Sequence, residues 1–123
     1  KTKTLLAIAS IMMAISIMLG AFGAHILKTF ISEELLSVYE TGVKYQFYNT
    51  LGLFAVAFIL HNKQESKLLF ISGILIFLGT LLFSISLYLL VILKISWLGM
   101  ITPIGGVLLV LAWLLTTYAI IKN

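Results

Sequence analysis

The chain of 123 residues has no cysteine, no arginine and no aspartate, and a single proline. Without cysteine there are no disulfides, thiolate metal sites, thioether-held haem or cysteine nucleophiles. Charge is scarce: 10% of residues are charged, against about 25% in a soluble domain. The eight lysines are scattered singly, which excludes the dense basic face of a nucleic-acid-binding module. What is abundant is apolar: 62% of residues are hydrophobic and mean hydropathy is +1.19. A small soluble fold exposes more than half of its surface and could not hide so much apolar area. Lipid is therefore the expected solvent, and a disordered chain or secreted mini-domain is excluded.

The few charges divide the sequence. Thr4 to Leu27 is free of Lys and Glu, as are Tyr45 to Asn62, Leu68 to Leu93 and Ile95 to Ile121. A bilayer core about 30 Å thick needs about 20 helical residues. The strict alternation of β-barrel strands is missing. The expectation is an all-α integral membrane four-helix bundle, one domain over 1–123, with spans near 4–27, 43–61, 68–93 and 100–121. Lys1, Lys3 and the small residues at 21–24 imitate a signal peptide, but the apolar run is long for one, and a retained span is expected. One side of the membrane would hold Lys1, Lys3, Lys63, Lys67 and Lys122 against Glu65, a net of +4. The other would hold Lys28, Lys44 and Lys94 against Glu33, Glu34 and Glu40, a net of zero. The positive-inside rule places both termini in the cytoplasm of a bacterial plasma membrane.

The connections differ in character. Residues 61–67 read as a plain solvated hairpin. In the first outer connection, Ser32 can cap a helix whose first turn holds Glu33 and Glu34. Leu35, Leu36, Val38 and Tyr39 follow, which predicts a short interfacial helix on the outer surface, bending at Gly42 into span two. Pro103 reads as a first-turn proline of the last span.

Polar side chains at membrane depth are costly and so mark candidate sites. Here they gather on the expected outer side: His25 at the end of span one; Glu40, Lys44, Tyr45, Gln46, Tyr48 and Asn49 opening span two; Ser84, Ser86 and Tyr88 in span three; Thr102 and Pro103 leading into span four. Helical spacing predicts a Glu40–Lys44 ion pair and sets Tyr45 over Asn49 and Ser84 over Tyr88. His25 is within reach of Glu40 on this reading. The bland alternatives are an aromatic belt for Tyr39, Tyr45, Tyr48, Tyr88 and Trp97, a satisfied interfacial His25, and hydroxyls bonded to backbone. Nucleophile triads, phosphate cradles, zinc sites and bis-histidine haem lack the residues they need at workable spacing, so no catalytic residue, metal or cofactor is assigned.

Four segments carry a resemblance: Gly20-Ala21-Phe22-Gly23-Ala24-His25, Glu40-Thr41-Gly42-Val43-Lys44-Tyr45-Gln46-Phe47-Tyr48, Phe83-Ser84-Ile85-Ser86-Leu87-Tyr88, and Leu98-Gly99-Met100-Ile101-Thr102-Pro103-Ile104-Gly105-Gly106. In this order and spacing the chain resembles the YwdK/YgdD-like family of small bacterial inner-membrane proteins, a domain of unknown function with a small human transmembrane relative. The resemblance implies four membrane helices and supplies no activity, substrate or cofactor. It would put Gly at Ile85 and commonly His at Asn49, which favours a hydrogen-bonding role for Asn49 over a proton carrier.

The function expected from these observations is non-enzymatic: an outer polar pocket that binds a lipid headgroup, a small solute or a partner helix. Membrane lipids are the expected partners, with a homo-oligomer as a further one and no nucleic acid. The rival expectations are a small oligomeric transporter or channel, proton-linked through His25 or Glu40, a lipid- or quinone-directed membrane enzyme or redox subunit, and a cluster that only locks the bundle.

Overall fold

The computed structural model describes residues 1–122. Helix α1 is Thr2–His25, and a short 3-10 turn, Leu27–Thr29, follows it. Helix α2 is Glu33–Asn62. The third span starts as α3, Lys67–Thr80, widens into a π-helical turn at Leu81–Ile85, and continues as α4, Ser86–Leu93. A second 3-10 turn, Ser96–Met100, leads to α5, Thr102–Lys122. Four stretches are long and apolar enough to cross a membrane: Thr2–Thr29, Glu33–Asn62, Lys67–Leu93 and Ser96–Lys122. Among the described residues there is no strand, so the chain is an all-α bundle of four membrane-length helices.

The start of α2 differs from expectation. Ser32 does cap it, accepting the Leu35 N–H at 3.2 Å, and Glu33 and Glu34 fill the first turn. Yet no separate interfacial helix forms and nothing bends at Gly42; α2 runs 30 residues without a break. At about 1.5 Å per residue that is roughly 45 Å, longer than the hydrocarbon core. The amphipathic turns 33–42 are the first turns of that same long helix. The reason is Tyr39: its ring is buried against Gly23, and its hydroxyl donates to the Leu19 carbonyl of α1. That anchor holds the segment upright on the bundle, and Gly42 is used for close packing.

The second and third spans form the centre. Helix α1 packs mainly on α2, and α5 mainly on the third span. Glycines set the approach, as expected where lipid offers no hydrophobic drive for helix association. A Cβ at Gly42 would lie 2.8 Å from Tyr88 Cε1 and 3.3 Å from the Ser84 carbonyl. A Cβ at Gly105 would overlap the Phe83 backbone nitrogen and lie 2.8 Å from its Cα. Gly42 from α2 and Gly105 from α5 therefore press on the π-helical turn from two sides.

The core divides along the helix axes. Toward the termini and the turn after α2 (the terminal end) it is mainly apolar, with Leu5, Ala9, Leu53, Val56, Ala57, Leu60, Leu69 and Ile76 buried together and the buried Ser72 and Thr116 bonded within their own helices. Toward the 26–32 and 94–101 connections (the loop end) it holds Leu27, Tyr39, Val43, Tyr88 and Val91. Buried polar residues at Gln46, Asn49, Ser84 and Ser86 lie in this second half.

Candidate functional site

The expected outer residues fall into two sets. His25, Glu40, Lys44, Tyr45, Tyr48 and Pro103 are exposed. Among the described residues no ion pair joins Glu40 to Lys44 or His25 to Glu40, so the spacing-based pair does not form. At an exposed position such a pair contributes little and does not hold two long side chains together. Tyr45 packs on Phe83 with ring centroids 4.9 Å apart and meets Tyr48 edge-on at 5.7 Å. Pro103 sits in the first turn of α5, where its missing N–H costs nothing.

The second set, Gln46, Asn49, Ser84, Ser86 and Tyr88, is buried and bonded across helices. The Tyr88 hydroxyl donates to Gln46 Oε1 at 2.6 Å. Gln46 Nε2 donates to the Met12 carbonyl of α1 at 3.3 Å, so one amide ties three spans together. Ser84, on the π-helical turn, donates to the Gly42 carbonyl at 2.7 Å. The π-helical turn and the absent side chain at Gly42 together allow that reach. Ser86 and Thr102 share a hydrogen bond at 2.6 Å, linking the third span to the start of α5. Asn49 donates to its own helix at Tyr45 O, 2.8 Å, and accepts the Trp113 indole N–H at 2.9 Å. Position 49 thus acts as a hydrogen-bonding group.

Sequence reasoning missed three members of this layer. Trp113 was not singled out, although an indole halfway along a span must find an acceptor. Tyr39 was grouped with the aromatic belt, yet it is 1% exposed and its ring lies 5.3 Å from that of Tyr88. The Met12 carbonyl had no signal at all, since backbone acceptors do not show in a sequence.

Two clefts flank the layer. One, of about 850 Å³, opens between α2 and α5 and is lined by Tyr45, Tyr48, Asn49, Phe83, Trp113 and residues of the α5 face from Pro103 to Leu114. The other, about 310 Å³, lies between α1 and the third span, with Gln46, Thr80, Ser84 and Tyr88 in its wall. The wall of the first is almost wholly apolar, so it suits hydrocarbon and not a charged solute.

The opposite end corrects a second expectation. The turn after α2 is not plain solvated loop. Glu65 accepts the Thr2 backbone N–H at 2.8 Å and the Thr2 hydroxyl as well. These two bonds, the hydroxyl first, hold its carboxyl below the usual glutamate range. Gln64 and Glu65 both have φ of 55°, a left-handed conformation that side chains other than Gly adopt at a cost.

Four membrane-length helices, locked by hydrogen bonds at one end and by apolar packing at the other, define a small polytopic membrane protein. Comparison with known proteins specifies which kind. A family model described as "Protein of unknown function (DUF423)" matches residues 19–106. UPF0382 membrane protein YwdK of Bacillus subtilis is 41% identical over 120 residues, 98% of each chain. UPF0382 membrane protein SAB0533 of Staphylococcus aureus is 45% identical over 103 residues, 84% of this chain and 83% of the relative. A relative from Staphylococcus haemolyticus is 38% identical over 98% of this chain and 97% of its own. The chain belongs to this UPF0382 family of bacterial membrane proteins of unknown function. No solved structure matches it.

Proposed function

We propose that the protein is a non-catalytic component of the bacterial plasma membrane, with both termini in the cytoplasm, that seats a phospholipid in the cleft between α2 and α5. The observation that carries this reading is the shape and chemistry of the cleft. Its volume of about 850 Å³ lies within the usual range for ligand pockets. It is walled by Phe83, Val107, Val110 and Trp113 at depth and by Tyr45 and Tyr48 toward the loop end. Lys44 is exposed and stands one turn before the lining residue Tyr48 on α2, and would be the cation to meet a lipid phosphate. The lysine imbalance supports the topology: a net of +4 on the terminal side against zero on the other.

Proton-linked transport has less behind it. His25 and Glu40 stand at the surface, and no carboxylate or imidazole among the described residues is buried. Gln46, Asn49, Ser84 and Tyr88 inside are bonded across helices to side chains and backbone.

Native mass spectrometry of protein released from native-lipid nanodiscs tests the proposal. Val107→Trp fills the cleft from an exposed position. Wild type is expected to retain phospholipid that the variant loses. Equal lipid retention by both overturns the proposal.

A further inference from the structure

The terminal end carries a second groove, of about 730 Å³, between the start of α1 and the end of α2. Its deep wall is Leu6, Ala57 and Phe58, and its mouth is Lys1, Lys3 and His61. Leu6 is 40% exposed and Phe58 71% exposed, so both present apolar surface outward from membrane-length helices. The groove is amphipathic along its length, basic above and apolar below.

Glu65, the acid on this end, lines the same groove and would seem to cancel the lysines. It offsets one of them only: its carboxylate accepts the Thr2 N–H and hydroxyl and pairs with the Lys1 α-amino group at 3.4 Å. Those bonds fasten the start of α1 to the turn. His61 Nδ1 stands 4.0 Å from Glu65 Oε2, at the limit of an ion pair, and is 75% exposed. Lys3 is exposed and makes no ion pair among the described residues. The carboxylate thus braces the site, while the Lys3 ammonium stays open to another anion with the exposed His61 imidazole beside it. The two left-handed residues, Gln64 and Glu65, curl the turn so that the carboxylate reaches α1. Strained backbone of this kind persists where surrounding contacts hold it.

We propose that this groove binds an anionic phospholipid, with its phosphate between Lys3 and His61 and an acyl chain along Leu6, Ala57 and Phe58. Charge complementarity selects the headgroup: five lysines face one glutamate on this end. The apolar floor selects a lipid over a free anion. This site shares no residue with the α2–α5 cleft and does not depend on it.

Thermal unfolding in detergent, with added lipid, tests the inference. Phosphatidylglycerol and phosphatidylcholine with the same chains are compared on wild type, Lys3→Ala/His61→Ala, and Lys3→Arg. Wild type is expected to be stabilised more by phosphatidylglycerol. The double variant should bind that lipid about five-fold more weakly or worse, Lys3→Arg should keep the preference, and Val107→Trp should leave it intact. Glycerol phosphate without chains should stabilise nothing. The inference is overturned if both lipids act equally on wild type, if the double variant keeps the full preference, or if glycerol phosphate replaces the lipid. Circular dichroism separates a folding failure, and Lys3, His61 and Val107 are all exposed positions.

Discussion

The two ends of the bundle hold their helices together by different physics. At the loop end Gln46, Asn49, Ser84, Ser86 and Tyr88 are buried and bonded across helices. At the terminal end the interior is Leu5, Leu53, Leu60 and Leu69, and the polar contact between Thr2 and Glu65 lies at the rim. In lipid, apolar packing gives no solvent-driven preference for one helix over another, whereas an unpaired amide or hydroxyl is costly. The loop end therefore fixes register and partner choice, and the terminal end fixes close approach. Substitutions that act at one end and not at the other sharpen this contrast.

The largest effect is expected at Gly105. Gly105→Leu drives a side chain into the Phe83 backbone, which cannot move without unwinding the π-helical turn. A cost of about 3 kcal/mol or more is expected, read as loss of the folded state in a thermal scan. At the terminal end, Gly73→Ala meets only the Leu5 side chain, with Cδ1 at 2.7 Å. That tip can turn away, so a loss of less than about 1.5 kcal/mol is expected. Equal losses at both would show that the two ends pack alike. Next comes Gln46→Leu, which removes the bonds to Tyr88 and Met12 and leaves a buried phenol unpaired. The expected loss is about 1–2 kcal/mol. Adding Tyr88→Phe should recover part of it, because the orphaned hydroxyl then goes too; a double variant no better than the single one breaks the assignment.

The comparison also explains what could be read in advance. Four helices follow from gaps between lysines, since charge-free stretches of 24, 26 and 27 residues have few other solutions and the remaining one, of 18, is completed by its flanking residues. The polar layer was half legible. Gln46, Asn49, Ser84 and Tyr88 stand out because polar side chains in a span need a reason. Their division into buried and exposed was not legible, since Tyr45 and Gln46 are neighbours in sequence and point to opposite environments. The period of the helix allows either until the partners are placed. The π-helical turn at Leu81–Ile85 was invisible: it arises from Gly42 and Gly105 closing on that stretch from other helices. Glu65 was passed over for a related reason, as its partner Thr2 lies 63 residues away.

A smaller effect is expected from Trp113→Phe. The ring volume largely stays and only the indole donation to Asn49 is lost. A loss of about 0.6 kcal/mol is expected, close to the mean for interhelical hydrogen bonds in a membrane. Trp97 remains as the fluorescence reporter of unfolding. A loss as large as that of Gln46→Leu would mean that Asn49, and not Gln46, is the centre of the layer.

The smallest effect separates the two ends by pH. Gln46, Asn49, Ser84 and Ser86 do not titrate, so the buried layer at the loop end has no response in acid. Glu65 does, and its folded value lies below the ordinary glutamate value because Thr2 stabilises the carboxylate. Between the two values the unfolded chain binds more protons than the folded one, so acid favours unfolding there. The contribution of Glu65 is therefore complete above the ordinary value of about 4.3, shrinks as pH falls toward the lower folded value, and is gone beneath it. The carboxylate is 40% exposed, which keeps the effect small. Unfolding temperatures of wild type and Glu65→Gln should differ by a constant amount above about pH 5 and converge below it. Parallel curves down to about pH 3 would show that the Thr2 contact does not depend on the carboxylate charge, and would remove the brace that keeps Lys3 and His61 open on that rim.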